Sequence, residues 1–97
     1  MEKNEFNTLF NIIIKRAKTG KSTSYTKKLL NEGAKKIAQK VGEESAELII
    51  DYLKGSKKRT IEEAVDLIYH LFVMLHSKNI KYNDIEKEII KRRNVRR

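Results

Sequence analysis

Seven of the 13 acidic residues in this chain fall into two short clusters: Glu43, Glu44, Glu47 and Asp51, then Glu62, Glu63 and Asp66. A helix stacks residues three and four apart along one face. Glu44, Glu47 and Asp51 therefore form one carboxylate stripe. Glu63 and Asp66 form a second, extended one turn further by His70. Like charges at these spacings repel, and a bound cation removes the repulsion. Hard oxygen ligands on two facing helices suit Mg²⁺, which completes its shell with water and substrate phosphates. The chemistry implied is metal-assisted attack of water on a phosphate ester or anhydride.

Each of these residues also has a plainer role open to it. Glu-x-x-Glu patterns occur on solvated helices, and Thr60-Ile61-Glu62-Glu63 reads as a capping box in which Glu63 serves its own helix end. With Ser56 as the N-cap instead, Glu63 is free to act as a ligand. His70 reads more readily as a satisfied helix histidine than as a ligand. Lys36 and Lys40 are one turn apart, and Lys40 precedes Glu44 by four residues. That spacing gives either a surface ion pair or a cation held beside the metal to meet a polyphosphate. Lys21, Ser22, Ser24 and Tyr25 are further candidates for phosphate or base contacts.

Helical periodicity supplies the elements that must carry these groups. A first helix is expected over about Glu2 to Lys18, with Phe6, Leu9, Phe10, Ile13, Ile14 and Ala17 on one face. Thr19 to Thr23 form a small polar loop. Ser24 caps a short helix, Tyr25 to Glu32, which Gly33 ends. A long helix, Ala34 to Lys54, has an apolar face of Ala34, Ile37, Ala38, Val41, Ser45, Leu48, Ile49 and Tyr52, and Gly55 closes it. Gly42 within it calls for a packing or ligand reason. After the basic segment Ser56 to Arg59, another long helix runs to Ser77, with Ile61, Val65, Ile68, Tyr69, Phe72 and Leu75 inward. A last helix, Asn83 to Arg93, presents Ile85, Ile89 and Ile90. The expected architecture is an all-α antiparallel bundle: one domain over residues 1–93 and a basic tail, 94–97.

Composition removes several classes. With 97 residues the chain supports one domain, and a chain this small buries only about 60% of its unfolded surface, so oligomerisation is a natural way to complete the core. Phe6, Phe10, Ile14 and the face around Leu71–Leu75 are the expected contributors. The absence of cysteine excludes disulfides, thiolate metal sites and thiol nucleophiles. The absence of proline suits helices. No stretch approaches the ~20 apolar residues of a membrane span, and the N-terminus lacks a signal-peptide core, so the expectation is a cytoplasmic protein without a membrane partner. The net charge of +9 points to a polyanionic partner. A small basic nucleic-acid-binding protein is one class with that charge, but the acidic clusters oppose binding on one face.

Two runs, Ser24 to Gly33 continuing through Lys36 to Glu47, and Glu62 to Leu71, closely resemble the phosphoribosyl-ATP pyrophosphatase family, and the likeness extends over nearly the whole chain. The resemblance implies the all-α MazG-like fold, whose members form dimers or higher homo-oligomers. It also implies Mg²⁺-dependent hydrolysis of 1-(5-phosphoribosyl)-ATP to 1-(5-phosphoribosyl)-AMP and pyrophosphate, the second step of histidine biosynthesis. The superfamily's ExxE…ExxD signature maps onto Glu44, Glu47, Glu63 and Asp66 as metal ligands. Glu43, with Glu44, Glu47 and Lys40, is then a catalytic candidate, Glu43 to position water. Lys36, Lys40, Ser24 and Tyr25 become substrate-binding candidates. The chain resembles the stand-alone form, having no room for a fused cyclohydrolase. A housecleaning nucleoside-triphosphate pyrophosphohydrolase would share the same carboxylates. Two departures stand out: Lys81 replaces a frequent Ser or Thr cap, and Lys57-Lys58-Arg59 lies where relatives often carry acidic residues, a change expected to affect charge more than chemistry.

Overall fold

A computed structural model of the chain describes residues 4–19, 21 and 24–93. They form α1 (Glu5–Thr19), α2 (Tyr25–Glu32), α3 (Ala34–Lys54), α4 (Lys57–Ser77) and α5 (Tyr82–Arg93), with no strand among the described residues. Glu2 and Lys3, expected within the first helix, and the 94–97 tail lie outside the described residues. Among the described ones, α1 starts at Glu5 because Asn4 caps it, its Oδ1 accepting from the Asn7 N–H at 3.2 Å.

The two helix junctions around α3 depend on glycine. Gly33, with φ 97°, turns the chain between α2 and α3 in a conformation that L side chains rarely adopt. Gly55 donates to the Asp51 carbonyl at 2.8 Å, and a Cβ there would sit 2.6 Å from Asp51 Oδ1. Gly55-Ser56 thus folds α4 back antiparallel along α3 in a tight αα-hairpin, the most extensive helix pairing in the chain. Gly42 has neither role: it is exposed, and a Cβ there would meet nothing within 4 Å, so packing does not explain it.

Ser56 is the N-cap of α4, its side chain accepting from the Arg59 N–H at 3.1 Å. Thr60 lies within the helix and donates to the Ser56 and Asp51 carbonyls at 2.9 and 3.1 Å. The capping-box alternative is therefore not the one adopted, and Glu63 is released from helix-end duty. At α5, Asp84 Oδ2 accepts the Lys81 N–H at 2.9 Å, doing part of the capping that the Lys81 side chain does not provide, and the helix begins at Tyr82, one residue earlier than expected.

The core is Phe10, Ile13, Leu29, Ile37, Phe72 and Val73, drawn from α1, α2, α3 and the C-terminal half of α4. Each such burial contributes about 1.5–3 kcal/mol. The Phe10 and Phe72 rings meet at 5.1 Å, and Tyr82 packs on both, attaching the start of α5. This corrects the expected dimer contributors in part. Phe10, Phe72 and Val73 are consumed by the chain's own core, with Ile14, Leu71, Met74 and Leu75 packed against it. Only Phe6 of that set stays more than half exposed.

The unsatisfied apolar surface lies at the other end of the hairpin. Ile49, Ile50, Tyr52 and Leu53 of α3 and Ile61 and Val65 of α4 are all exposed, although the periodicity assigns four of them to inward faces. Ile89 and Ile90 of α5 are exposed as well, and α5 buries no residue. The radius of gyration is 14.9 Å, against about 12.5 Å for a compact chain of this length. No described helix is long and apolar enough to cross a membrane.

Candidate functional site

The hairpin sets α3 and α4 in antiparallel register, so that residue numbers rising on one helix face numbers falling on the other. Asp51 meets Arg59 and Thr60, Glu47 faces Glu63, and Glu44 meets His70 and Asp66. The two stripes read from the sequence are thereby merged. Glu44, Glu63 and Asp66 each bring a carboxylate oxygen within 4.8 Å of the others'.

Burial separates these groups. Glu44 and Glu63 are 8% and 4% exposed, whereas Asp66 and Glu47 open to solvent. Desolvation, with the negative charges of Glu47 and Asp66, holds the Glu63 carboxyl above its ordinary range, and Arg59 opposes the shift. Glu63 Oε1 is buried and has no hydrogen-bond partner. Buried polar atoms are rarely left that way, and an orphan carboxylate oxygen among other carboxylates is a donor suited to a cation.

His70 is buried and fully engaged. Its Nδ1 lies 2.7 Å from the Asp66 carbonyl oxygen, which can only accept, so Nδ1 carries the proton. Its Nε2 then accepts from the Tyr25 hydroxyl at 2.8 Å. Burial, foremost, raises the Tyr25 pKa, which keeps that hydroxyl a donor. Glu44 Oε1 stands 4.0 Å from Nδ1. The plainer reading of His70 therefore holds for both of its ring nitrogens. A second hydroxyl pair, Thr26 with Tyr69, ties α2 to α4 one residue along.

Lys40 is paired with Glu43 at 3.4 Å, not with Glu44. Burial pulls the Lys40 pKa down, but Tyr25, Glu43 and Glu44 outweigh it and leave it raised, so the ammonium is charged. Glu43 is exposed and also takes a hydrogen bond from Gln39 Nε2 at 2.9 Å; that bond first, and then Lys40, lower its pKa. The structure does not bring Glu43 into the carboxylate group. Lys36 is half-buried one turn before Lys40. Ser24 caps α2, its Oγ accepting from the Lys27 N–H at 3.3 Å. Lys21 is exposed, and Ser22 lies outside the described residues.

One contact goes beyond the sequence reading. Arg59, expected to affect charge more than chemistry, places Nη2 at 2.9 Å from Glu63 Oε2 and Nη1 at 3.0 Å from Glu62 Oε1. The i, i+3 and i, i+4 spacing of Arg59 to these two glutamates was the available signal.

Residues 6–93 match the family model described as phosphoribosyl-ATP pyrophosphohydrolase. The chain is 46% identical over 92 residues to a phosphoribosyl-ATP pyrophosphatase of Sulfolobus acidocaldarius, covering 95% of this chain and 97% of that one. It is 44% identical over 92 residues to one from Sulfurisphaera tokodaii, covering 95% and 98%. It is also 40% identical over 89 residues to the histidine biosynthesis bifunctional protein HisIE of Staphylococcus aureus, covering 92% of this chain and 42% of that protein. A match spanning all five helices, with near-complete coverage of two relatives, places the chain in the phosphoribosyl-ATP pyrophosphohydrolase family.

Proposed function

We propose that this chain hydrolyses 1-(5-phosphoribosyl)-ATP to 1-(5-phosphoribosyl)-AMP and pyrophosphate, the second step of histidine biosynthesis, in the cytoplasm and with Mg²⁺. The observation that carries the reading is the meeting of Glu44, Glu63 and Asp66 across the hairpin, with one buried Glu63 oxygen left without a partner. These hard oxygen donors fit a small divalent cation, with Glu47 adjoining Glu63 as a fourth. When bound, Mg²⁺ supplies positive charge to phosphate oxygens and acidifies water.

The chain's own residues do the rest. Lys36 and Lys40, on the N-terminal half of α3, offset phosphate charge, and Glu43 with Gln39 steadies Lys40. The Ser24 hydroxyl spends its acceptor on the helix end and keeps its O–H to donate to a phosphate. Tyr25 gives its hydroxyl to His70 and leaves its half-exposed ring to face the substrate. The net charge of +9 draws a highly phosphorylated nucleotide towards this acidic centre.

We further propose that residues 1–93 form one domain completed by a second copy of the chain. The accessible surface is 7691 Å², about a third more than the ~5,800 Å² expected of a compact protein of this mass. The six exposed apolar side chains at the Gly55 end of the hairpin are the surface a second hairpin would cover.

The test is pyrophosphate release from phosphoribosyl-ATP, with Mg²⁺ and with EDTA, in the wild type, Glu44→Gln and Asp66→Asn. The expected result is Mg²⁺-dependent release that falls by about a hundredfold or more in each folded variant. Unchanged release in both variants, with native helicity by circular dichroism, would refute the assignment.

A further inference from the structure

Arg59 stands where its own helix does not favour it. It lies in the first turn of α4, which contains no acidic residue, and the positive end of a helix disfavours cations. It also precedes Glu63 by four residues, the less favourable order for such a pair. What surrounds it is carboxylate from both arms of the hairpin: Glu63 Oε2 at 2.9 Å, Glu62 Oε1 at 3.0 Å and Asp51 Oδ2 at 3.8 Å. The Glu63 side chain is 5% exposed and has Arg59 on one oxygen while the other has no partner. Without a cation, Glu44, Glu47, Glu63 and Asp66 place four negative groups in one small region, two of them buried.

We infer that Arg59 is a resident counter-cation for this carboxylate group. It acts through Glu63, as a positioning residue, and holds the hairpin's charges together when no divalent ion is bound. The planar guanidinium matches the task, because its fork engages two carboxylates at once and its charge is permanent. It remains about half exposed, so solvent screens its charge and leaves room for a doubly charged ion to dominate the site. The inference rests on the reading of Glu44, Glu63 and Asp66 as a cation site. It adds that metal and Arg59 perform overlapping electrostatic work, so losing one matters most when the other is absent.

The experiment is thermal unfolding of the wild type, Arg59→Gln and Arg59→Lys at one protein concentration, each in EDTA and in saturating Mg²⁺ alone. In EDTA, Arg59→Gln is expected to melt about 5 °C below the wild type. Saturating Mg²⁺ should close more than half of that gap, and Arg59→Lys, which keeps the charge but loses the two-carboxylate fork, should melt between the wild type and Arg59→Gln in EDTA. A gap that is unchanged or widened by Mg²⁺ overturns the inference, since Arg59 would then be an ordinary hairpin contact or a group the metal needs. An Arg59→Lys protein that falls as far as Arg59→Gln in EDTA overturns it too, and if Arg59→Gln does not fold, an Arg59→Lys protein whose melting temperature Mg²⁺ raises no more than it raises the wild type's does the same. A wild type that Mg²⁺ fails to stabilise removes the cation-site reading beneath the inference, a failure distinct from the other two.

Discussion

The two ends of the α3–α4 hairpin are built from similar apolar periodicities and meet different fates. Towards the N-terminus of α3 and the C-terminus of α4, helices α1 and α2 lie against the pair and bury Ile37, Phe72 and Val73 with Phe10, Ile13 and Leu29. Towards Gly55, nothing within the described chain covers Ile49, Ile50, Leu53, Ile61 or Val65. The carboxylates sit between these ends, Glu44 and Glu63 buried and Asp66 and Glu47 open. A closed end gives the site a fixed scaffold, and an open end leaves apolar surface for a partner. Apolar spacing specifies that a helix has a face; it does not say which chain supplies the cover.

The largest expected effect comes from breaking the closed end. Phe10→Ala should cost about 3–5 kcal/mol, a large part of the stability of a small domain, seen as an early urea or thermal transition. At the open end, Leu53→Ala should leave the core intact and weaken self-association by about 2 kcal/mol, roughly thirtyfold in Kd by analytical ultracentrifugation. If Leu53→Ala instead lowers urea stability independently of protein concentration, the contrast between the two ends fails.

At the seam, protons and metal compete. The Glu63 pKa is raised, so as pH falls through that value Glu63 is protonated and its oxygen withdrawn from the cation. Mg²⁺ affinity by calorimetry should therefore weaken with acidification, by up to about tenfold per pH unit, and hold steady well above that pKa. The smallest effect belongs to the Gly55 turn. Ser56→Ala removes the α4 cap and should cost about 1 kcal/mol without moving the core, which amide exchange confined to the first turn of α4 would verify.

Much of the site was legible because helical spacing is a local property. Glu44 and Glu47, or Glu63 and Asp66, share a face on any helix that contains them, whatever surrounds it. The caps were less so: Ser56 and Thr60 are both able to start α4, and the choice went to Ser56 where Gly55 makes its close turn against Asp51. Arg59 was half legible: Glu62 and Glu63 lie at helical spacing from it, but its third partner, Asp51, lies across the turn. Tyr25 and His70 are 45 residues apart, and no spacing rule joins them.

The sequence by itself determined five helices, the two carboxylate stripes, the glycine breaks and the family, since periodicity, capping chemistry and motif order are all written along one strand of chain. Only the tertiary structure decided which stripe oxygens meet, that Glu43 stands aside, that His70 is fully occupied, and which apolar residues are spent inside the chain. Those outcomes depend on the antiparallel register of α3 and α4 and on where α1 and α2 pack, and both are set by contacts between residues distant along the chain.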